Sequence, residues 1–351
     1  MHAPDLVAEL LRHSARAHAR AAVAELHERR PDLGDALPAT FAAPRGDLEV
    51  RVLQLAEAVA VAAPELFVDA VGWYRLAFAG RGVPDDYLAE SLASLQVVLH
   101  RELPGGAPAL VEQALAGGLA VARRAPVVPP SPIERPGPLA AVAQRFLLAA
   151  LEGRSDRALD QIEAALADGV GIAELQDEVL LPAQHEVGRM WLLGEAPIAD
   201  EHLASQTVGE ALVLLQRRVP RPPAGAPRVL AFGVSGNLHD LGIRMIAQRL
   251  QVAGFDVTSL GANLPASDLP FAFVDRHYDL MAVSATMLLH LGAARAVVAM
   301  RDRELGGAPP ILLGGAPFAA VPDLHVRLGA DASAATAAEA VRQAQRLVPR
   351  S

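Results

Sequence analysis

One histidine lies in a short loop bounded by glycines, Val234-Ser235-Gly236-Asn237-Leu238-His239-Asp240-Leu241-Gly242. An apolar run, 228–233, precedes it, and a helical pattern, 243–254, follows. An imidazole in that place has two chemistries open to it. It can cap the helix that follows, or it can ligate a metal through one ring nitrogen while a neighbour holds the other. Asn237 offers an acceptor two residues upstream, as a neutral amide, and Asp240 adjoins the ring. Gly242 lets a ligand pass close to the backbone. Taken alone, His239 reads more simply as a cap. A second group lies upstream, where Trp191 is followed ten positions later by Glu201 and then His202. Without context these read as a core anchor at a helix end and a solvated polar face.

The elements that must position these residues follow from periodicity. Apolar runs near 228–233, 256–260, 280–284, 311–314 and 330–332 alternate with helical patterns, which predicts a parallel sheet in an α/β domain. His239 then sits at the carboxyl end of the first strand, where such sheets bind ligands. Leu260-Gly261-Ala262-Asn263-Leu264-Pro265 follows the second strand, Val283-Ser284-Ala285-Thr286 ends the third, and Ile311-Leu312-Leu313-Gly314-Gly315 ends the fourth. Ahead of the sheet the chain reads as helical throughout. Four helices, 139–151, 156–167, 172–191 and 198–218, have the short connections of an antiparallel four-helix bundle. Pro126 to Pro138 holds six prolines in thirteen residues, an extended linker. Further helices before it, 5–28, 47–62, 65–79, 84–101 and 108–123, make a leading bundle with Trp73, Tyr74, Arg75 and Arg81 close together. The expected division is 1–124 helical bundle, 125–138 linker, 139–218 helical cap, 219–227 linker and 228–351 α/β domain.

The spacing asn-x-his-x-x-gly resembles the asp-x-his-x-x-gly signature of cobalamin-binding Rossmann-like (flavodoxin-like) domains, and the three later strand ends resemble theirs. The resemblance implies that His239 displaces the cofactor's own benzimidazole and ligates cobalt from below. Asn237, Asp240 and Gly242 would shape its loop, Ser284 and Thr286 would line the buried nucleotide tail, and Gly314-Gly315 would leave the tail a groove. Trp191 with Glu201-His202 resembles the trp-x9-glu-his motif in the cap of light-sensing, adenosylcobalamin-dependent regulators. There the tryptophan covers the adenosyl group and the glutamate hydrogen-bonds it. Two positions depart from those families. Asn237 stands where aspartate is usual, which makes the imidazole a weaker donor to cobalt. Leu192 stands where some photoreceptors carry a second cobalt-binding histidine, for which His202 and His185 are the substitutes at hand. A helical leading domain is similar to the photocobilins and implies a linear tetrapyrrole such as biliverdin, contacted by Trp73 and Tyr74, with Arg75 and Arg81 on its propionates.

Composition narrows the classes. A formal net charge of -9 and the lack of a basic block argue against nucleic-acid binding. With no cysteine, a bilin cannot be attached by a thioether, so it would be held non-covalently. All 31 Lys/Arg positions are arginine, which removes a lysine Schiff base. Hydrophobic content of 52% with only 4% aromatic residues means that alanine, leucine and valine fill the core. The sequence shows no signal peptide and no membrane span, so the expectation is a cytoplasmic protein. The expected function is a cobalamin photoreceptor acting on an unidentified signalling partner, with a homo-oligomer open. A corrinoid methyl carrier of a methyltransferase system is the alternative, and cobalamin storage or delivery a third. No catalytic base or nucleophile stands out, so a sensor is expected rather than an enzyme.

Overall fold

The computed structural model describes residues 3–33, 44–104 and 108–349. By its internal contacts the chain divides into two units, Met1–Val128 with Leu192–Gly194, and Pro129–Trp191 with Glu195–Ser351. The boundary differs from the expected division, because three residues at the end of a cap helix count with the leading bundle.

The leading unit is built from α1 (Ala3–Arg29), α2 (Pro44–Ala60), α3 (Pro64–Ala79), α4 (Tyr87–Glu102) and α5 (Ala109–Ala122). Ala8, Leu11, Ala15, Ala19, Ala22 and Leu26 recur at three- and four-residue intervals along α1 and are buried. That spacing places one stripe of small side chains against α2 and α4. The core of this bundle is also polar in one place. Arg51 is fully buried, with its guanidinium carbon 3.1 Å from the centre of the Tyr74 ring. Its two terminal nitrogens donate to Asp47 and Gln54, each at 2.7 Å.

The second unit opens with α6 (Ala140–Leu151), α7 (Ser155–Ala167), α8 (Ile172–Leu175), α9 (Leu181–Leu192) and α10 (Ile198–Gln216). The pattern predicts one helix over 172–191. The structure breaks it with a π turn at Gln176–Leu180, an insertion that helical periodicity does not reveal. The α/β part follows as β1 (Arg228–Val234), α11 (Asp240–Val252), β2 (Asp256–Leu264), α12 (Leu269–Ala272), β3 (Leu280–Ser284), α13 (Leu291–Glu304), β4 (Ile311–Gly314), α14 (Ala316–Ala320), α15 (Leu324–Leu328), β5 (Ala332–Ala334) and α16 (Ala337–Leu347). The five strands are parallel in the order β2-β1-β3-β4-β5. Successive connections leave β1 in opposite directions, so the switch point lies between β1 and β3.

Helix α11 joins the two parts of this unit. The cap core of Phe146, Ile162, Val179, Val187, Val208 and Leu212 includes Met245 from α11. Around it, Arg244 donates to the Gly209 carbonyl at 3.0 Å and Gln248 to the Leu212 carbonyl at 2.7 Å. Gln176, in the π turn, donates to Gln248 at 2.7 Å, and Arg249 pairs with Asp177 at 2.8 Å. Among the described residues no helix is long and apolar enough to cross a membrane.

Candidate cofactor site

At the end of β1 the chain turns at Gly236, whose φ is 81°. The turn is closed by the Asn237 N–H donating to the Val234 carbonyl at 3.0 Å. From the β2 side, Asn263 accepts the Gly236 N–H on its side-chain oxygen at 2.7 Å, and donates its own N–H to the Asn237 carbonyl at 3.0 Å. Asn263 is itself left-handed, with φ 59°, as is Gly261 at 75°. These two residues sit where the register between β1 and β2 shifts, a bulged edge from which Asn263 reaches Gly236. Strand β2 therefore runs through the segment that the sequence pattern places after it.

Asn237 is fully buried, and all of its amide is used. Its nitrogen donates to the Ser284 carbonyl at 3.0 Å and faces the Ser284 hydroxyl at 3.4 Å. Its oxygen accepts the His239 backbone N–H at 3.1 Å and faces His239 Nδ1 at 3.3 Å. A carbonyl on one side and an N–H on the other fix which way round the amide lies. The oxygen then accepts from Nδ1–H, which leaves the Nε2 lone pair available to a metal. His239 occupies the cap position of α11, but its side chain makes no capping bond there, so the simpler reading of the sequence does not hold. His239 is exposed, and at Gly242, three residues on, an added methyl would meet nothing within 4 Å. Asp240 begins α11 and faces Arg244 at 3.6 Å.

The loops after β3 and β4 complete this end of the sheet. Ser284 and Thr286 are half-buried, their hydroxyls 3.5 Å apart. Gly315 has φ 129°, and a β-carbon there would collide with the Ala285 carbonyl, so only glycine fits. Gly314 lies beside the Ala334 carbonyl. A residue not singled out by the sequence, His290, is buried behind the loop, its ring centre 6.4 Å from that of His239. Burial pushes its imidazole below the ordinary histidine range, His239 adds to this, and a hydrogen bond with the Gly236 backbone opposes it.

On the cap, Trp191 is half-buried near the end of α9 and Glu201 lies in the first turn of α10. The Glu201 carboxylate is held on both oxygens, by the Ser205 hydroxyl at 2.6 Å and by His202 Nδ1 at 2.8 Å. Gln184 donates to the Ser205 hydroxyl at 2.9 Å and extends the chain back to α9. Leu192 is buried, and His185 lies exposed on α9. In the leading unit Trp73 and Tyr74 meet edge to face at 4.8 Å, and Arg51 covers the Tyr74 ring. Arg75 donates to Asp85 at 3.0 Å and to the Arg124 carbonyl at 3.3 Å. Arg81 donates to the carbonyls of Ala77 and Leu192 at 3.0 and 2.9 Å.

Residues 227–344 match the family model described as the B12 binding domain, and residues 142–216 match a second model of the same description. This chain carries B12-binding domains. Its relatives include dimethylamine corrinoid protein 3 of Methanosarcina acetivorans, 28% identical over 57% of this chain and 93% of that protein. The HTH-type transcriptional repressor CarH of Myxococcus xanthus is 37% identical, over 36% of this chain and 40% of that protein. The monomethylamine corrinoid protein of Methanosarcina barkeri shares the fold, with a TM-score of 0.53 and 21% identity over 60% of this chain and the whole of that one.

The residues of the B12-binding domain fit the cofactor. A corrin ring brings its own equatorial nitrogens, so a single oriented imidazole is the donor the protein must add. An exposed His239 with Nδ1 occupied, an open face at Gly242 and a β-carbon-free position at Gly315 are the features such a ligand needs. Asn263 and His290 were missed as site residues. The first lay within a quoted motif, whereas the second is 51 residues from His239 and its place before α13 reads as helix capping.

Proposed function

We propose that this cobalamin-binding protein is an adenosylcobalamin-dependent light sensor, with His239 as the lower cobalt ligand and Trp191 and Glu201 on the upper ligand. The observation that carries the reading is the Glu201 carboxylate, preset by Ser205 and His202 ten residues beyond Trp191. A fixed carboxylate suits the ribose hydroxyls of an adenosyl group, and an indole suits its base. A methyl group offers neither. The cofactor supplies a cobalt–carbon bond that visible light breaks; the chain holds the corrin, orients the imidazole and grips the upper ligand. Trp191 and Glu201 would hold the upper ligand in its intact state and would lose those contacts without it, which would shift the cap's equilibrium.

The second reading, a corrinoid methyl carrier, is supported by the likeness to the dimethylamine corrinoid protein along almost all of that protein's length. Loading the full chain with adenosyl-, methyl- and hydroxocobalamin separates the two. The sensor reading expects preferential retention of adenosylcobalamin, a spectral change on illumination, and loss of that preference in Trp191→Ala. Equal or better retention of methylcobalamin, with no effect of Trp191→Ala, supports the carrier instead. His239→Ala should shift the corrin bands and weaken binding under either reading. A non-covalent bilin in the leading unit belongs to the sensor proposal, with its propionates competing against Asp85 for Arg75. Incubation with biliverdin then yields a red band that survives gel filtration, and no such band leaves a cobalamin-only sensor.

A further inference from the structure

Asn263 is exposed and left-handed, with φ 59°. Asparagine tolerates that conformation better than most side chains, so the backbone alone could account for it there. The use of its side chain is a separate matter. Its oxygen accepts the Gly236 N–H at 2.7 Å, across 27 residues of chain. Because the backbone offers a proton, the facing atom of the amide is the oxygen. Its own N–H donates to the Asn237 carbonyl at 3.0 Å. One residue of β2 therefore holds the Gly236–Asn237 pair at both ends. It reaches them through the bulge, where Phe232 pairs with Gly261 but Val234 pairs with Leu264.

Gly236, at φ 81°, has no β-carbon to restrict its rotation, so the shape of this turn rests on its hydrogen bonds. The Asn237 N–H closes the turn on the Val234 carbonyl at 3.0 Å. Asn237 in turn takes the His239 N–H at 3.1 Å and faces Nδ1 at 3.3 Å. An unbroken series of bonds thus runs from β2 through the turn to the imidazole.

We propose that Asn263 is a positioning residue for His239: its side chain clasps the Gly236 N–H and fixes the turn from which Asn237 and the imidazole are presented. This rests on His239 as the cobalt ligand, and the two ideas can fail separately. The competing role is purely conformational, an asparagine kept because it suits a left-handed position. Two substitutions part these roles. Glycine accepts the φ and keeps the backbone bond to Asn237, but has no oxygen for Gly236. Aspartate accepts the φ and keeps that oxygen.

The test uses the full chain as wild type, Asn263→Gly and Asn263→Asp, with ¹⁵N-histidine labelling and His239→Ala as the blank. Cob(II)alamin is the probe. In electron paramagnetic resonance a ¹⁵N imidazole on cobalt splits each line into a doublet, and the cofactor's own ¹⁴N benzimidazole into a triplet. Amide exchange at Gly236 is followed without cofactor, relative to that at Leu230 in β1. In Asn263→Gly we expect Gly236 exchange faster by about fivefold to tenfold, as for one lost hydrogen bond, and a doublet-to-triplet ratio lower by a similar factor. In Asn263→Asp both should stay within about threefold of wild type. Wild-type exchange in Asn263→Gly overturns the proposal. So does faster exchange with an unchanged ratio, which leaves the clasp without effect on the imidazole, and so does an Asn263→Asp protein as impaired as Asn263→Gly. A wild type without the doublet, or a doublet that persists in His239→Ala, refutes the ligand role of His239 instead, while the exchange arm still reads the clasp.

Discussion

Asn237 stands where aspartate is usual in the motif, so Asn237→Asp ought to be an improvement. The hydrogen-bond pattern says otherwise. In the folded chain the amide nitrogen donates to the Ser284 carbonyl at 3.0 Å, and a carboxylate has no proton to give there. The substitution removes one neutral hydrogen bond, about 1 kcal/mol, and leaves a carbonyl facing a charged oxygen, a further ~1–3 kcal/mol. Against this, the carboxylate strengthens the bonds from the His239 backbone and ring, at 3.1 and 3.3 Å, by about 1 kcal/mol. The position is fully buried, which adds a desolvation cost. The net expectation is a cofactor-free protein less stable by about 1–3 kcal/mol. Once bound, the ligating imidazole should be the stronger donor, so stability and axial ligation move in opposite directions. Urea unfolding followed through Trp191, in a Trp73→Phe background, reads the first. The corrin spectrum reads the second. A cofactor-free Asn237→Asp protein as stable as wild type would show that Ser284 rearranges to donate, and the account of Asn237 given above would be wrong.

Two glycines should separate structure from ligand space. Gly315→Ala meets the Ala285 carbonyl at a φ of 129° and should cost about 2–4 kcal/mol of stability, read by denaturation without cofactor. Gly242→Ala meets nothing, so the cofactor-free protein should be as stable or up to about 1 kcal/mol more so, while cobalamin titration should show weaker binding. The leading bundle should weaken in mild acid through His18, which burial holds below its ordinary value against the opposing pull of Glu102. A histidine kept neutral by folding gives full stability above its ordinary range, and loses it as the pH falls through the depressed folded value. Melting curves read by Trp73 fluorescence should show this slope, and it should flatten in His18→Gln.

Much of the cofactor end was legible because its chemistry is local in sequence. The Asn237–His239 pair needs only a two-residue offset. Gly315, read in the sequence as leaving a groove for the tail, stands where a β-carbon would meet the Ala285 carbonyl. The rest was hidden for physical reasons. Gly261 and Asn263 read as strand breakers, yet they are the left-handed residues of a bulge, and β2 continues to Leu264. Strand β5 begins at Ala332, two residues after the pattern places it, since the Asp331 carboxylate takes the Ile311 N–H at 2.8 Å before strand pairing starts. The π turn adds one residue to a helix without changing which residue types occur. The His290 ring comes within 6.4 Å of the His239 ring from 51 residues away, and nothing in composition or spacing marks that approach.

The burial of Met245 within the cap core bears on where this chain can be cut. One family match ends at Gln216 and the other begins at Pro227, which suggests two separable modules. Packing does not respect that seam. A fragment ending near 218 loses Met245 from its core and leaves the Leu212 and Gly209 carbonyls without the Gln248 and Arg244 donors. Any laboratory chimera should therefore keep the cap helices and the α/β part together. Exchanging the cap of this chain requires carrying α11 along with it, and because α11 starts directly after His239, a grafted cap brings the geometry of that loop with it.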